Sequence, residues 1–137
     1  KRMFPPEHLA RHKVADLFLD TLPYNAHTTA SDALWAGLPV LTCTGESFAS
    51  RVAASLLNAI ELPELITTTQ EQYEATAIEL ATNSDKLKVI KDKLERNKLI
   101  TALFDTPRFT KHIEAAYIKM YERYQSDMTP DHIYIEA

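Results

Sequence analysis

Glycine is nearly absent: the 137 residues contain two. A Gly-rich loop that wraps phosphate in backbone amides is therefore excluded, and any phosphate must be met by a helix end with help from side chains. Cysteine is scarcer still. The single Cys43 makes no internal disulfide, which fits a reducing, cytoplasmic compartment. It closes an apolar run and reads as a small core residue rather than a nucleophile. No apolar stretch approaches the roughly 20 residues needed to cross a bilayer, so no membrane partner is expected. Lys1-Arg2 leads into Phe4-Pro5-Pro6 rather than into a signal-peptide core. An excess of positive charge is missing as well. Fifteen Lys and Arg against 19 Asp and Glu give a formal charge of −4, which excludes a general nucleic-acid binder.

What is present centres on Asn25-Ala26-His27-Thr28-Thr29-Ala30-Ser31-Asp32-Ala33-Leu34-Trp35-Ala36-Gly37-Leu38-Pro39. Residues 16–20 before it form a short apolar run between acids and predict a buried strand. Residues 39–43 after it predict a second. The helix between them has clear ends. Thr29 suits the N-cap, with Asp32 three residues on in the place of a capping-box acid. Gly37 falls where a left-handed residue ends a helix, and Pro39 prevents continuation. Strand, polar turn, helix and strand make a βαβ unit, whose chemistry belongs at the helix N-terminus.

That turn carries an imidazole, two hydroxyls and a carboxylate. The first turn of a helix has unpaired N–H groups and roughly half a positive charge, so it attracts phosphate. Thr28 and Thr29 add hydroxyl donors, and His27 is expected to add a third. The competing role is plain capping, with His27 a solvated turn residue; spacing alone leaves both open.

Earlier in the chain, His8, Arg11 and His12 share a helix face at i, i+3 and i+4. A solvated face, a zinc pair from His8 and His12, and recognition of a planar base all suit that pattern. Tyr24 is placed at a pocket mouth, or as a half-buried loop aromatic. Ser47 caps a further helix, in which Phe48, Val52, Leu56 and Ala59 recur at helical spacing and are expected to face the core. Arg51 either points toward the ligand end or, the favoured role, pairs with Glu46. Lysines 86, 88, 91, 93 and 98 read as a solvated face. A last helix from Pro107, capped by Thr106, carries an aromatic stripe through Phe109, Tyr117 and Tyr124. One βαβ unit is too small to cover both faces of a parallel sheet, so an incomplete domain is expected. Its parts are a Rossmann-like donor-binding portion over 1–66, a helical portion packing on it over 67–126, and a tail over 127–137.

The run over residues 20–40, with Tyr24-Asn25-Ala26-His27-Thr28-Thr29 at its centre, resembles the nucleotide-sugar segment of the O-linked N-acetylglucosamine transferases. Gly45-Glu46-Ser47-Phe48-Ala49-Ser50-Arg51-Val52-Ala53-Ala54 resembles the next block of that tetratricopeptide-repeat-containing, SPINDLY-like family. The resemblance implies an α/β fold, the C-terminal part of a Rossmann-like domain in a two-domain GT-B glycosyltransferase. It implies transfer of N-acetylglucosamine from UDP to protein Ser or Thr hydroxyls, with no cofactor and no metal. His8 and Arg11 would then hold the uracil, and Asp32 and Tyr24 would contact the sugar. His27, Thr28 and Thr29 would stabilise the leaving group. Partners implied are the UDP-sugar, an acceptor protein, and an N-terminal catalytic lobe and repeats of the same chain. Departures stand beside these. A family lysine near the ribose is Pro5 here, and Tyr24 replaces a cysteine found in some members, which points to altered affinity or another hexose. The second phosphate-binding lysine and the proposed base lie upstream of Lys1, so this segment is expected to be inactive alone. The alternative is a non-catalytic packing module with a vestigial nucleotide pocket.

Overall fold

The computed structural model describes residues 3–135, which fall into two compact units, Lys1–Leu103 and Phe104–Ala137. The first opens with α1, Pro5–Ala10, which tightens into a 3₁₀ turn over Arg11–Val14. Then follow β1 (Phe18–Leu19), α2 (Thr28–Trp35), β2 (Val40–Cys43) and α3 (Val52–Ala59). A short β3 (Ile66–Thr67), α4 (Gln70–Thr82) and α5 (Ser84–Ile100) complete it.

The three strands are parallel in the order β1-β2-β3, with Phe18 opposite Val40 and Thr42 opposite Ile66. The fold is thus α/β, as the βαβ pattern predicts. β2 is the centre, and all four of its residues are buried. α2, α3 and α4 all lie against it. The core is aliphatic: Ala30, Ala33 and Leu34 of α2, Leu57 of α3, Leu80 of α4 and Leu94 of α5 are each 1% exposed or less. Burying each leucine stabilises the fold by about 1.5–3 kcal/mol. α4 and α5 close this core and belong to the first compact unit.

The end of α2 follows the sequence closely. Gly37 has φ +85°, its N–H donates to the Leu34 carbonyl at 3.1 Å, and Leu38 N–H donates to Ala33 at 2.8 Å. This paired arrangement satisfies two of the last open carbonyls of the helix.

The start of α2 does not follow. Its first intrahelical bond runs from Ser31 N–H to the His27 carbonyl, so His27 is the N-cap and gives no side-chain cap. Thr28 and Thr29 lie inside the first turn, and Asp32 is two positions too late to close a capping box. α3 also departs. Ala53, Ala54, Leu57 and Ile60 face the core, while Phe48 is 77% exposed. The apolar run is continuous enough to support either stripe, and β2 selects the one displaced by a residue.

Thr69 and Asn83 cap α4 and α5 through their side chains. The second unit consists of α6, Thr106–Gln125, and the chain that follows it. Its cap is Asp105, whose carboxylate accepts Arg108 N–H at 3.0 Å, and not Thr106. The stripe of Phe109, Tyr117 and Tyr124 is exposed. The tail folds back on its own helix, with Arg123 donating to the Thr129 carbonyl and Lys119 to that of Tyr134. Among the described residues no helix is long and apolar enough to cross a membrane.

Candidate anion site at the tip of α2

The tip of α2 is open. Among the described residues the amides of Thr28, Thr29 and Ala30 donate no hydrogen bond, and neither does either threonine hydroxyl. Thr28 and Thr29 are exposed and His27 is half-buried. In front of them is a cleft of about 450 Å³, lined by the end of β1, Tyr24 and the turn from Asn25 to Thr29. The unpaired amides of Thr28 and Thr29 at the positive end of a helix dipole, beside two hydroxyls, are donors suited to an anion, whereas Ala30 is fully buried behind them.

His27 is held from three sides. Its ring stacks on Tyr24 at 4.8 Å and meets Phe48 edge-on at 6.1 Å, and Nε2 lies 3.3 Å from the Ala49 carbonyl. A carbonyl only accepts, so Nε2 carries the proton. Neutral His27 is left with an acceptor at Nδ1. It offers the cleft a donor only when protonated, and the expected third donor is already committed to Ala49.

His8 and Asp32 are brought together. Nε2 of His8 lies 3.2 Å from Asp32 Oδ2, which ties α1 to α2, and both side chains are half-buried. Asp32 therefore finds His8 as its partner in place of the N-cap. His12 sits edge-on to His8 at 5.1 Å and its Nδ1 faces the His8 carbonyl at 3.1 Å. Arg11 begins the 3₁₀ turn, exposed, and makes no ion pair among the described residues. Neither His8, Arg11 nor Asp32 lines the cleft in front of the tip. Arg51 does not pair with Glu46. It lies beside Phe48, Val52, Ser55 and Leu56 at a shallow surface hollow of about 370 Å³.

Two site residues were invisible in the sequence. Asp20, at the end of β1, is 4% exposed and Asn25 is 1% exposed. Asn25 Nδ2 donates to the Thr21 carbonyl at 3.0 Å, its N–H donates to Ala49 at 2.9 Å, and its Oδ1 is buried with no partner among the described residues. The available signal was the acid at the end of the strand, in the position where the turn must be anchored.

A parallel α/β sheet with an open helix tip at the carboxyl end of its strands has the architecture of one half of a doubly wound α/β fold. Residues 4–113 match the model of glycosyl transferase family 41, and the chain belongs to that family. It is 42% identical over 127 residues to a probable UDP-N-acetylglucosamine–peptide N-acetylglucosaminyltransferase, SEC, of Arabidopsis thaliana, covering 92% of this chain and 13% of that protein. It is 40% identical to the UDP-N-acetylglucosamine–peptide N-acetylglucosaminyltransferase of Caenorhabditis elegans, covering 93% and 11%. A solved O-GlcNAc transferase variant from Thermobaculum terrenum superposes with a TM-score of 0.81 at 37% identity, over 87% of this chain and 23% of that one. The chain thus spans about an eighth of the length of the curated relatives it matches.

Proposed function

We propose that this segment is the donor-binding part of a glycosyltransferase that moves N-acetylglucosamine from UDP to Ser or Thr hydroxyls of an acceptor protein. The open tip of α2 carries the proposal: it presents unpaired amides and hydroxyls to a cleft of pyrophosphate-accommodating size. When the bond between the sugar C1 and the β-phosphate oxygen breaks, negative charge builds on that phosphate. Fixed donors that need no rearrangement stabilise such charge best, and removing one costs about 2.7–4 kcal/mol in well-measured oxyanion sites. Thr28, Thr29 and the amides around them take this role, so the reaction calls for no metal ion and no cofactor.

His8 and Arg11 hold the uracil, one by its ring face and the other by its planar donors. Asp32, already tied to His8, and Tyr24, at the mouth of the cleft, accept from or pack against the sugar. His27, stacked on Tyr24 beside the same turn, contacts the phosphate or the sugar. The GT-B arrangement requires a second lobe, and the tetratricopeptide repeats of the family select the acceptor; both belong to other parts of a longer chain. The segment alone is inactive. A cytoplasmic location agrees with the free, buried Cys43. Calorimetric titration of UDP into the full-length protein tests this. His8→Ala and Thr29→Ala are each expected to weaken binding by about tenfold. Equal heats in all three proteins would refute it.

A further inference from the structure

We infer that Asp20 is a positioning residue of the phosphate-binding turn: its carboxylate fixes the backbone at Ala26 and so aims the open amides of α2 into the cleft. The inference rests on the donor-site reading above. Asp20 is almost fully buried, and no Lys, Arg or His pairs with it among the described residues. A buried carboxylate held only by neutral groups is costly, and persists where its hydrogen bonds are strong. Both oxygens are used. Oδ1 accepts the Ala26 amide at 2.6 Å, and Oδ2 accepts the hydroxyl of Thr42 at 2.7 Å.

Those partners belong to different parts of the fold. Thr42 is a fully buried residue of β2, the centre of the sheet. Ala26 stands two residues before Thr28, the first residue of α2. One side chain therefore ties the turn to the buried central strand, at the point where the chain enters the helix. Asp20 is itself anchored, because its N–H donates to Leu41 at 3.0 Å and its carbonyl accepts the Tyr73 hydroxyl at 2.7 Å. Asn25 makes the reciprocal tie back to Thr21. A turn fixed at both ends costs no ordering when the anion arrives, which is preorganisation.

The test compares UDP with uridine, which lacks the phosphates, on the full-length protein. Asp20→Ala is expected to cut the preference for UDP over uridine by about tenfold, with uridine affinity held within about twofold. Asp20→Asn keeps an oxygen that accepts the Ala26 amide and is expected to restore the preference to within about threefold of wild type. A merely structural role would lower the affinity for both ligands together. Should Asp20→Ala bind neither, Thr42→Val carries the test: it frees Oδ2 alone, and a fall in the UDP preference of about threefold is expected. An unchanged preference in Asp20→Ala, or in Thr42→Val when the alanine variant does not fold, overturns the inference. So does a preference lost equally in Asp20→Asn. A wild-type protein that binds uridine as well as UDP overturns the donor site itself, before any substitution is made.

Discussion

Gly45→Ala perturbs the loop that buttresses the helix tip, and the structure fixes its consequences. An added methyl group at residue 45 would stand 2.6 Å from Ser50 Oγ and 2.9 Å from Ser50 Cβ. Rotating the hydroxyl relieves the first contact but not the second, because Cβ moves only with the backbone. Ser50 is 3% exposed and doubly bonded to Ser47, and its carbonyl accepts Gly45 N–H at 2.9 Å. The loop must therefore shift by a few tenths of an ångström, and overpacking of this kind costs about 1–3 kcal/mol. The adjacent carbonyl, Ala49, receives both Asn25 N–H and His27 Nε2–H, so the shift is passed to the turn before α2. Thermal unfolding of the full-length protein and UDP titration read the two effects: a lower midpoint and weaker UDP binding. Replacing Ser50 by Gly in the same protein removes the colliding atoms, and the double-mutant cycle is expected to show a favourable coupling of about 1 kcal/mol or more. Strict additivity, or an unchanged midpoint for Gly45→Ala, would refute the reasoning.

Gly37→Ala places a side chain at φ +85°, beside the Glu95 carboxylate, and is expected to cost about 1–2 kcal/mol. Because Gly37 lies at the far end of α2 from the tip, UDP affinity in the same variant stays within about twofold; a stable Gly37→Ala protein contradicts the left-handed cap. Tyr73 has its phenol pKa raised by burial first and by the Asp20 charge second, and its neutral hydroxyl donates to Asp20. A raised folded pKa gives stability that is full below the free-phenol value of about 10 and is lost as pH climbs through the folded value. Tyr73→Phe is expected to flatten the fall in unfolding midpoint between about pH 9 and 12, and parallel curves would contradict it.

The features legible in the sequence were those written in residues with one strong preference. Gly37 and Pro39 locate the end of α2, and the alternation of strand, helix and strand gives the parallel sheet. The start of α2 was not legible, because Thr28 and Thr29 both suit a cap and Asp32 satisfies the capping spacing by coincidence. Its real partner, His8, stands 24 residues away, and no local rule reports such a pair. In α3 the run from Phe48 to Ile60 is apolar on two adjacent faces, so periodicity alone does not select the inward one. Asp20 was read as the polar flank of a strand. Only the fold shows it turned inward to hold Ala26 and Thr42.

Hydrogen exchange over residues 27–31 of the full-length protein, with and without UDP, bears most directly on the tip of α2. Without ligand the amides of the exposed Thr28 and Thr29 have no acceptor and are expected to exchange rapidly. UDP is expected to slow them by about tenfold or more while uridine leaves them unchanged. Exchange that is the same in both ligands, or already slow in the free protein, would contradict an open anion site at this helix end.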